Sequence, residues 1–391
     1  MAKQRVILLC IGLTAVAFAV GHYSGRLSSS ITPTTYPEFV RALESRDWAL
    51  RAHVVSGFVV GLGPENLTPA LAAIEAHRRW LSQDELRLFM AAWARFDPEA
   101  AFARSLTWPD HTRSKGAAAA IYGWALYDPL GAREAAMEVT DSSLKALLLD
   151  RIVAAWAHGE DREGVTRYIA GLPDSPSRDR LTAILIREIL SDGHLAVIEW
   201  AEALPSAHGE DFAPIAFRRA AGILAQDDHV IAKKFAEKNL GAPWGEGAPA
   251  AVARRWVHSD PAAALDWARS LPEGSARDQA INTAFVQWER NYPAAAEHWL
   301  EQAGQSPELD SPRFALLRRR AMTSPPEALV LADLISDRAM KERGQVLALG
   351  QWFKSDREAA MHWLNTNAVS TEVRAQLRSG RKSRSKKPAE G

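Results

Sequence analysis

The sequence predicts an all-α fold: an α-solenoid of about nine 32-residue helix–turn–helix repeats behind an N-terminal signal or anchor helix. Three observations carry that expectation. Trp93, Trp124, Trp156, Trp256, Trp288 and Trp352 stand 31, 32, 100, 32 and 64 residues apart, close to multiples of one step. Proline recurs five residues after the anchor tryptophan or the residue in its place, at Pro98, Pro129, Pro261, Pro293 and Pro325. Alternating apolar–polar runs that would signal strands are nearly absent.

The first element is the N-terminal segment, 1–26. Lys3-Gln4-Arg5 precedes an apolar run from Val6 to Val20, broken only by Gly12 and Thr14. A positive stretch before an apolar one is an export signal. Residues Gly21 to Tyr23 extend the run to 18, near the ~20 that a spanning helix needs. No polar break separates the run from His22 and Tyr23, so it reads as an uncleaved signal anchor contacting the membrane over 6–23. Ala17-Phe18-Ala19 supplies the cleavage alternative. Either outcome places the body in the cell envelope, as a periplasmic body on a single inner-membrane span or as a secreted or periplasmic protein.

Residues 27–80 read as a linker with a degenerate capping repeat around Phe58, and 81–367 as the repeats themselves. In each repeat a first helix ends near the anchor, a place taken by Ile189, Leu224 and Arg320 where tryptophan is missing. One residue before the proline phase stand Asp97, Asp128, Asp260 and Ser324, with Asp228 and Asp356 in copies lacking the proline. These oxygens are expected to cap a second helix, with proline at its first position, where no backbone donor is missed. Ser324 and Glu327 have the spacing of a capping box. Ala263-Ala264, Ala295-Ala296 and Ala359-Ala360 allow close helix approach, and a second aromatic follows at Trp200, Phe235, Trp267, Trp299 and Trp363. Leu172-Pro173, Leu204-Pro205 and Leu271-Pro272 are expected to stop the second helix. Basic residues at Arg113, Lys145, Arg178, Arg277 and Lys341 open the next first helix, and read as a ladder between repeats.

The last element, 368–391, is a basic tail with no apolar residue to bury from Arg378 to Lys387, and reads as disordered. Its Arg381, Lys382, Arg384, Lys386 and Lys387 suit an anionic surface, either lipid headgroups or a cell-wall polymer. The net charge of zero hides this polarity: +3 over the first 26 residues and +6 over the last 18 leave −9 on the body. A globally basic, nucleic-acid-binding fold is thereby disfavoured. One cysteine, Cys10, excludes a disulfide framework or a thiolate metal cluster.

Catalytic signatures are missing: there is no nucleophile elbow, phosphate-cradling loop, dinucleotide fingerprint or zinc-type histidine spacing. The sequence therefore predicts no enzyme, no cofactor and no metal. Candidate partner contacts lie elsewhere. Trp244 sits in the turn-rich stretch Gly241 to Gly247, where an exposed aromatic would be a contact residue. Arg254 and Arg255, Arg318 and Arg319, with Arg218-Arg219 and Arg320 in related phases, suit either helix C-terminal dipoles or a basic strip for an acidic peptide or glycan. The alternative is a glycan-binding or glycan-active α/α protein using tryptophan platforms and paired carboxylates.

The second-helix pattern of alanine, tryptophan and small residues in Ala196–Ala203 and Ala263–Ser270 resembles that of tetratricopeptide and Sel1-like repeats. The first helix departs from that family, lacking its Leu-Gly-x2-Tyr pattern. The "Trp-x3-Asp-Pro-x-Ala-Ala" style also resembles exported bacterial repeat proteins. The resemblance implies a scaffold or adaptor that binds a protein or peptide along a concave face, and it transfers no catalytic residue.

Overall fold

Aspartate and proline set where most helices begin. The computed structural model of the protein describes residues 34–207 and 211–384, and contains 22 α-helices, one 3-10 turn and no strand among them. Segment 1–26 lies outside the described residues, and no described helix is long and apolar enough to cross a membrane. Three helices come first: α1 (Tyr36–Glu44), α2 (Trp48–Val60) and α3 (Pro64–His77). Phe39 and Phe58 stack at 4.1 Å in their core, so the segment expected as linker and degenerate cap is folded from Tyr36 onward.

Helices then alternate in chain order. The even-numbered ones are α4 (Gln83–Ala94), α6 (Asp110–Ala125), α8 (Ser142–His158), α10 (Pro176–Leu190), α12 (Ala213–Asp227), α14 (Ala248–Trp256), α16 (Ser275–Asn291), α18 (Asp310–Thr323) and α20 (Arg338–Ser355). Between and after them lie α5 (Pro98–Leu106), α7 (Pro129–Met137), α9 (Arg162–Ala170), α11 (His194–Ala207), α13 (His229–Lys238), α15 (Pro261–Ser270), α17 (Pro293–Gln302), α19 (Pro325–Asp333) and α21 (Arg357–Thr366). The final helix, α22, spans Thr371–Arg384.

The chain divides into two compact units, Met1–Glu188 and Ile189–Gly391, a boundary inside the segment 81–367. In the first unit α2, α4, α6 and α8 pack each against the next. In the second, α12, α14, α16, α18 and α20 do the same, and α22 packs on α20. Helices α5, α7, α13, α15, α17 and α19 each lean on the even-numbered helices before and after them. Glycine permits the closest of these approaches: a Cβ on Gly123 of α6 would lie 2.7 Å from the Ala91 Cα of α4. On Gly344 of α20 it would meet Leu317 of α18 at 2.7 Å.

The helix starts follow the predicted chemistry, with one exception. Asp97 accepts from the backbone N–H of Ala100, Asp128 from Gly131, Asp260 from Ala263 and Asp356 from Ala359. Asp228 accepts from both Val230 and Ile231. Ser324 departs from expectation, for its side chain makes no cap hydrogen bond. The Ser324 N–H is given to the Arg320 carbonyl at 2.7 Å, and Glu327 pairs with the Arg320 guanidinium at 3.2 Å. Leu-Pro ends α9 and α15 as expected, but α11 runs through Pro205 to Ala207. Proline there supplies no N–H to the Ala201 carbonyl, and the helix ends two residues beyond it.

The tail also differs. Thr371–Arg384 is helical because Val373 and Leu377, one turn apart, pack on the core of the second unit, with Val373 buried. Ser370 accepts from the Val373 N–H, and Arg374 donates to the Leu364 carbonyl at 2.8 Å. The helix thus nucleates before the basic run begins. Arg381, Lys382 and Arg384 lie in its last turns, while Lys386 and Lys387 lie outside the described residues.

Most of the basic residues expected as a ladder between repeats act locally instead. Arg178 donates to the Leu172 carbonyl at 2.9 Å and Arg277 faces Glu273 at 3.8 Å; Arg113 reaches Asp141 at 3.7 Å. Proline after the second helix leaves a nearby carbonyl without its helical donor, and the arginine satisfies it. Arg113 alone of these three pairs with the next hairpin, and further pairing between hairpins comes from other positions. Glu75 accepts two hydrogen bonds from Arg104, both 2.7 Å, and one from the Trp108 indole at 2.8 Å.

The Arg104 hydrogen bond, with that of Trp108, holds the Glu75 carboxyl below the ordinary carboxylate range despite partial burial. A depressed folded pKa contributes stability that is complete above the unfolded value and lost as pH falls through the folded one. Glu75→Gln is therefore expected to cost about 1–3 kcal/mol near neutral pH. Its melting curve should converge on the parent's in acid, and melting temperature against pH for both proteins checks this.

Candidate functional site

The recurring tryptophans pair across their own hairpins. Ring centroids are 5.9 Å apart for Trp256 and Trp267, 6.3 Å for Trp288 and Trp299, and 6.4 Å for Trp352 and Trp363. Each pair joins the end of an even-numbered helix to the middle of the following one, and aromatic edges and faces attract in such tilted arrangements. Trp93, Trp124, Trp156 and Trp267 are buried; Trp200, Trp256, Trp288, Trp299, Trp352 and Trp363 are half-buried. In the first unit the second aromatic phase is empty, and Trp156 stacks instead on Tyr168 at 5.7 Å, one residue later than the pattern.

The capping carboxylates are engaged twice in two hairpins. The Trp124 indole N–H donates to Asp128 at 3.4 Å, and that of Trp156 to Asp161 at 3.0 Å while Asp161 also caps α9. Asp161 is one residue out of phase with the other caps, which hid it from the periodicity. Among the described residues no group of three or more His, Cys, Asp or Glu is placed to hold a metal ion.

The candidate contacts separate into three environments. Trp244 folds back on the buried Phe217, with centroids 6.3 Å apart, and is half-buried. On α18, Arg319 lies 2.6 Å from Glu289, and Arg320 grips both oxygens of Glu297 at 2.6 Å, so those charges are neutralised; Arg318 is exposed. On α12 and α14 the setting is cationic. Arg218, Arg254 and Arg255 are exposed and Arg219 is half-buried. Arg254 is held below the usual guanidinium range, first by partial burial and then by Arg255 and Arg218. Arg219 is lowered likewise by burial, then by Arg254 and Arg255.

A separate open hollow of about 340 Å³ lies beside the end of α14, lined by Val257, His258, Gln287, Trp288, Asn291 and Tyr292. Gln287 and Asn291 stand one turn apart on α16, and Tyr292, next in sequence to Asn291, is 66% exposed. Its lining is aromatic, amide and imidazole, with no carboxylate, lysine or arginine among these residues.

The sequence singled out the arginine clusters, but not which of them would be neutralised. It also missed the buried pair Arg51–Glu85, 2.7 Å apart, although Ser82 and Glu85 carry capping-box spacing. Compared with known proteins, the chain matches no family model, no curated protein and no solved structure.

Proposed function

We propose that this protein is a non-enzymatic helical-repeat scaffold or adaptor of the cell envelope, membrane-tethered or exported, that binds a protein or peptide partner. In this reading the hairpins form an α-solenoid akin to tetratricopeptide and Sel1-like repeats, with the partner on its concave face. One observation carries it: the residues with chemistry in repeat phase are occupied by structure. The aspartates accept backbone N–H groups at helix starts, and the tryptophans pack on each other. A continuous stack of hairpins offers an extended surface without an active site.

Photo-crosslinking from α12 and α14 of the full chain in its native cell, read by mass spectrometry, is expected to return the same protein partner from independent preparations. A second reading, glycan binding, is favoured by the hollow at Trp288 and Tyr292, where an exposed tyrosine shares the lining with two amides. Oligosaccharide retained by the purified chain, with no protein crosslinked, would replace the first reading by the second.

A further inference from the structure

Helices α2 and α4 run parallel, start beside start. Arg51 and Glu85 meet at 2.7 Å near their beginnings, and Arg95 donates to the Val59 carbonyl at 3.0 Å near their ends. Helix α3 returns the chain between them, so the turn before α2 and the turn before α4 reach one edge of the first unit. Arg51 also donates to the Ser45 carbonyl of the earlier turn at 2.8 Å. Of the fourteen tryptophans, twelve are buried or half-buried. The two exposed ones, Trp48 at 66% and Trp80 at 74%, both stand on this edge. Neither indole N–H finds an acceptor among the described residues.

Exposed Arg46 and Arg79 lie in the same two turns, two residues and one residue before those rings. Neither has a carboxylate within ion-pair distance among the described residues. Each falls between the end of one helix and the start of the next, where opposite dipole ends lie close and largely cancel. Of the nearby carboxylates, Glu85 is taken by Arg51, Asp47 caps α2 and Asp84 faces Arg87 at 3.1 Å; Glu44 is exposed at the end of α1. Folding alone gains nothing from two bare indoles flanked by arginine, and clustered exposed apolar side chains mark a contact surface.

We propose that this edge, with Arg46, Trp48, Arg79 and Trp80, lies on the anionic lipid surface of the membrane. Indoles settle at the headgroup level, where the ring meets acyl chains and the N–H meets oxygen acceptors, and arginines beside them reach lipid phosphates. Twelve residues, 24–35, join the apolar run to α1 and extend to roughly 40 Å at most. The chain enters by the far end of α2, where a Cβ on Gly57 would lie 2.6 Å from the Thr34 hydroxyl oxygen. Helix α2 is about 20 Å long at 1.5 Å per residue, so the edge falls within reach of a bilayer that holds 6–23. This placement rests on the membrane tether in the reading above and is independent of the protein partner.

The test is hydroxyl-radical footprinting of the full chain in vesicles of phosphatidylglycerol and phosphatidylethanolamine, read at each aromatic residue by mass spectrometry. Oxidation of Trp48 and Trp80 should be severalfold slower than in phosphatidylcholine vesicles, while Tyr127 and Tyr292, comparably exposed, stay unchanged. Raised salt should weaken the protection. R46Q/R79Q should lose most of it and melt with the parent, since each arginine removed from an anionic surface lowers the docked-to-free ratio by about fivefold. R46K/R79K, which keeps the charge, should retain it. Equal oxidation of the two rings in both kinds of vesicle, retained protection in R46Q/R79Q, or a lowered melting temperature in that variant would each overturn the proposal. Protection that appears without lipid, as the chain is concentrated or mixed with envelope proteins, would overturn it too. A full chain that fails to float with vesicles would sink the tether along with this contact. Rings left open on anionic vesicles by a chain that still crosslinks a protein would remove the contact and leave the scaffold standing. Protected rings with no protein crosslinked would sink the scaffold instead.

Discussion

Replacing Trp267 by alanine is expected to destabilise the second unit by about 3–5 kcal/mol, the range for removing a large buried ring. Trp267 is 4% exposed, and its ring tilts against Trp256 at 5.9 Å. Its indole N–H donates to Glu237 of the preceding hairpin at 2.9 Å. The substitution therefore opens a cavity within one hairpin and breaks a tie to its neighbour, and the ring's loss dominates. Thermal or urea unfolding of the full chain should show a midpoint lower by on the order of 10 °C for a unit of this size. Trp267→Phe separates the two terms, because it keeps most of the ring contact and loses the donor. A Trp267→Ala protein that melts with the parent would mean that these rings do not hold the hairpins together.

Asp310→Ala should produce a loss of similar size, about 3–5 kcal/mol, since it strips the partner from a buried cation. Asp310 is buried at the start of α18 and accepts from the backbone N–H groups of Ser336 and Asp337, at 2.8–3.0 Å. Arg313, also buried, lies 3.3 Å from it and donates to the carbonyls of Ser306 and Gly304. One carboxylate thus joins the turn before α18 to the turn before α20. Without it two backbone donors and a guanidinium are left buried and underpaired. Asp310→Asn keeps an acceptor but not the charge and should recover part of the loss. Chemical denaturation of the three proteins, followed by far-ultraviolet circular dichroism, orders them.

Much of the secondary structure was legible because its signals are local. Asp97, Asp128, Asp260 and Asp356 cap helices a few residues away, and the prolines following three of them take first helical positions. The limits of that legibility are physical too. Ser324 has the spacing of a cap, yet its N–H goes to the Arg320 carbonyl and Glu327 pairs with the Arg320 guanidinium. The basic tail was read by its charge, but Val373 and Leu377 find a core built by α18 to α21, so a helix forms where composition alone suggested none. Asp310 and Glu75 stand in no repeat phase, and each also depends on groups more than twenty residues away, Ser336 and Asp337 for the one and Arg104 and Trp108 for the other.

The candidate site divides the same way. Runs of arginine were visible in the sequence, and each was compatible with a helix terminus or a binding strip. Which of the two applies depends on carboxylates brought in by other helices: Glu289 and Glu297 reach Arg319 and Arg320, while Arg254 and Arg255 are met by no carboxylate among the described residues and face other arginines. By itself the sequence determined that the described chain is helical and where most helices start, because capping and periodicity act within a turn or two along the backbone. Tertiary structure alone decided which charges are neutralised and which rings touch, because those depend on how each helix is rotated against its neighbours. Packing sets that rotation, through contacts such as Gly123 on Ala91 and Gly222 on Ala251 that no single repeat contains.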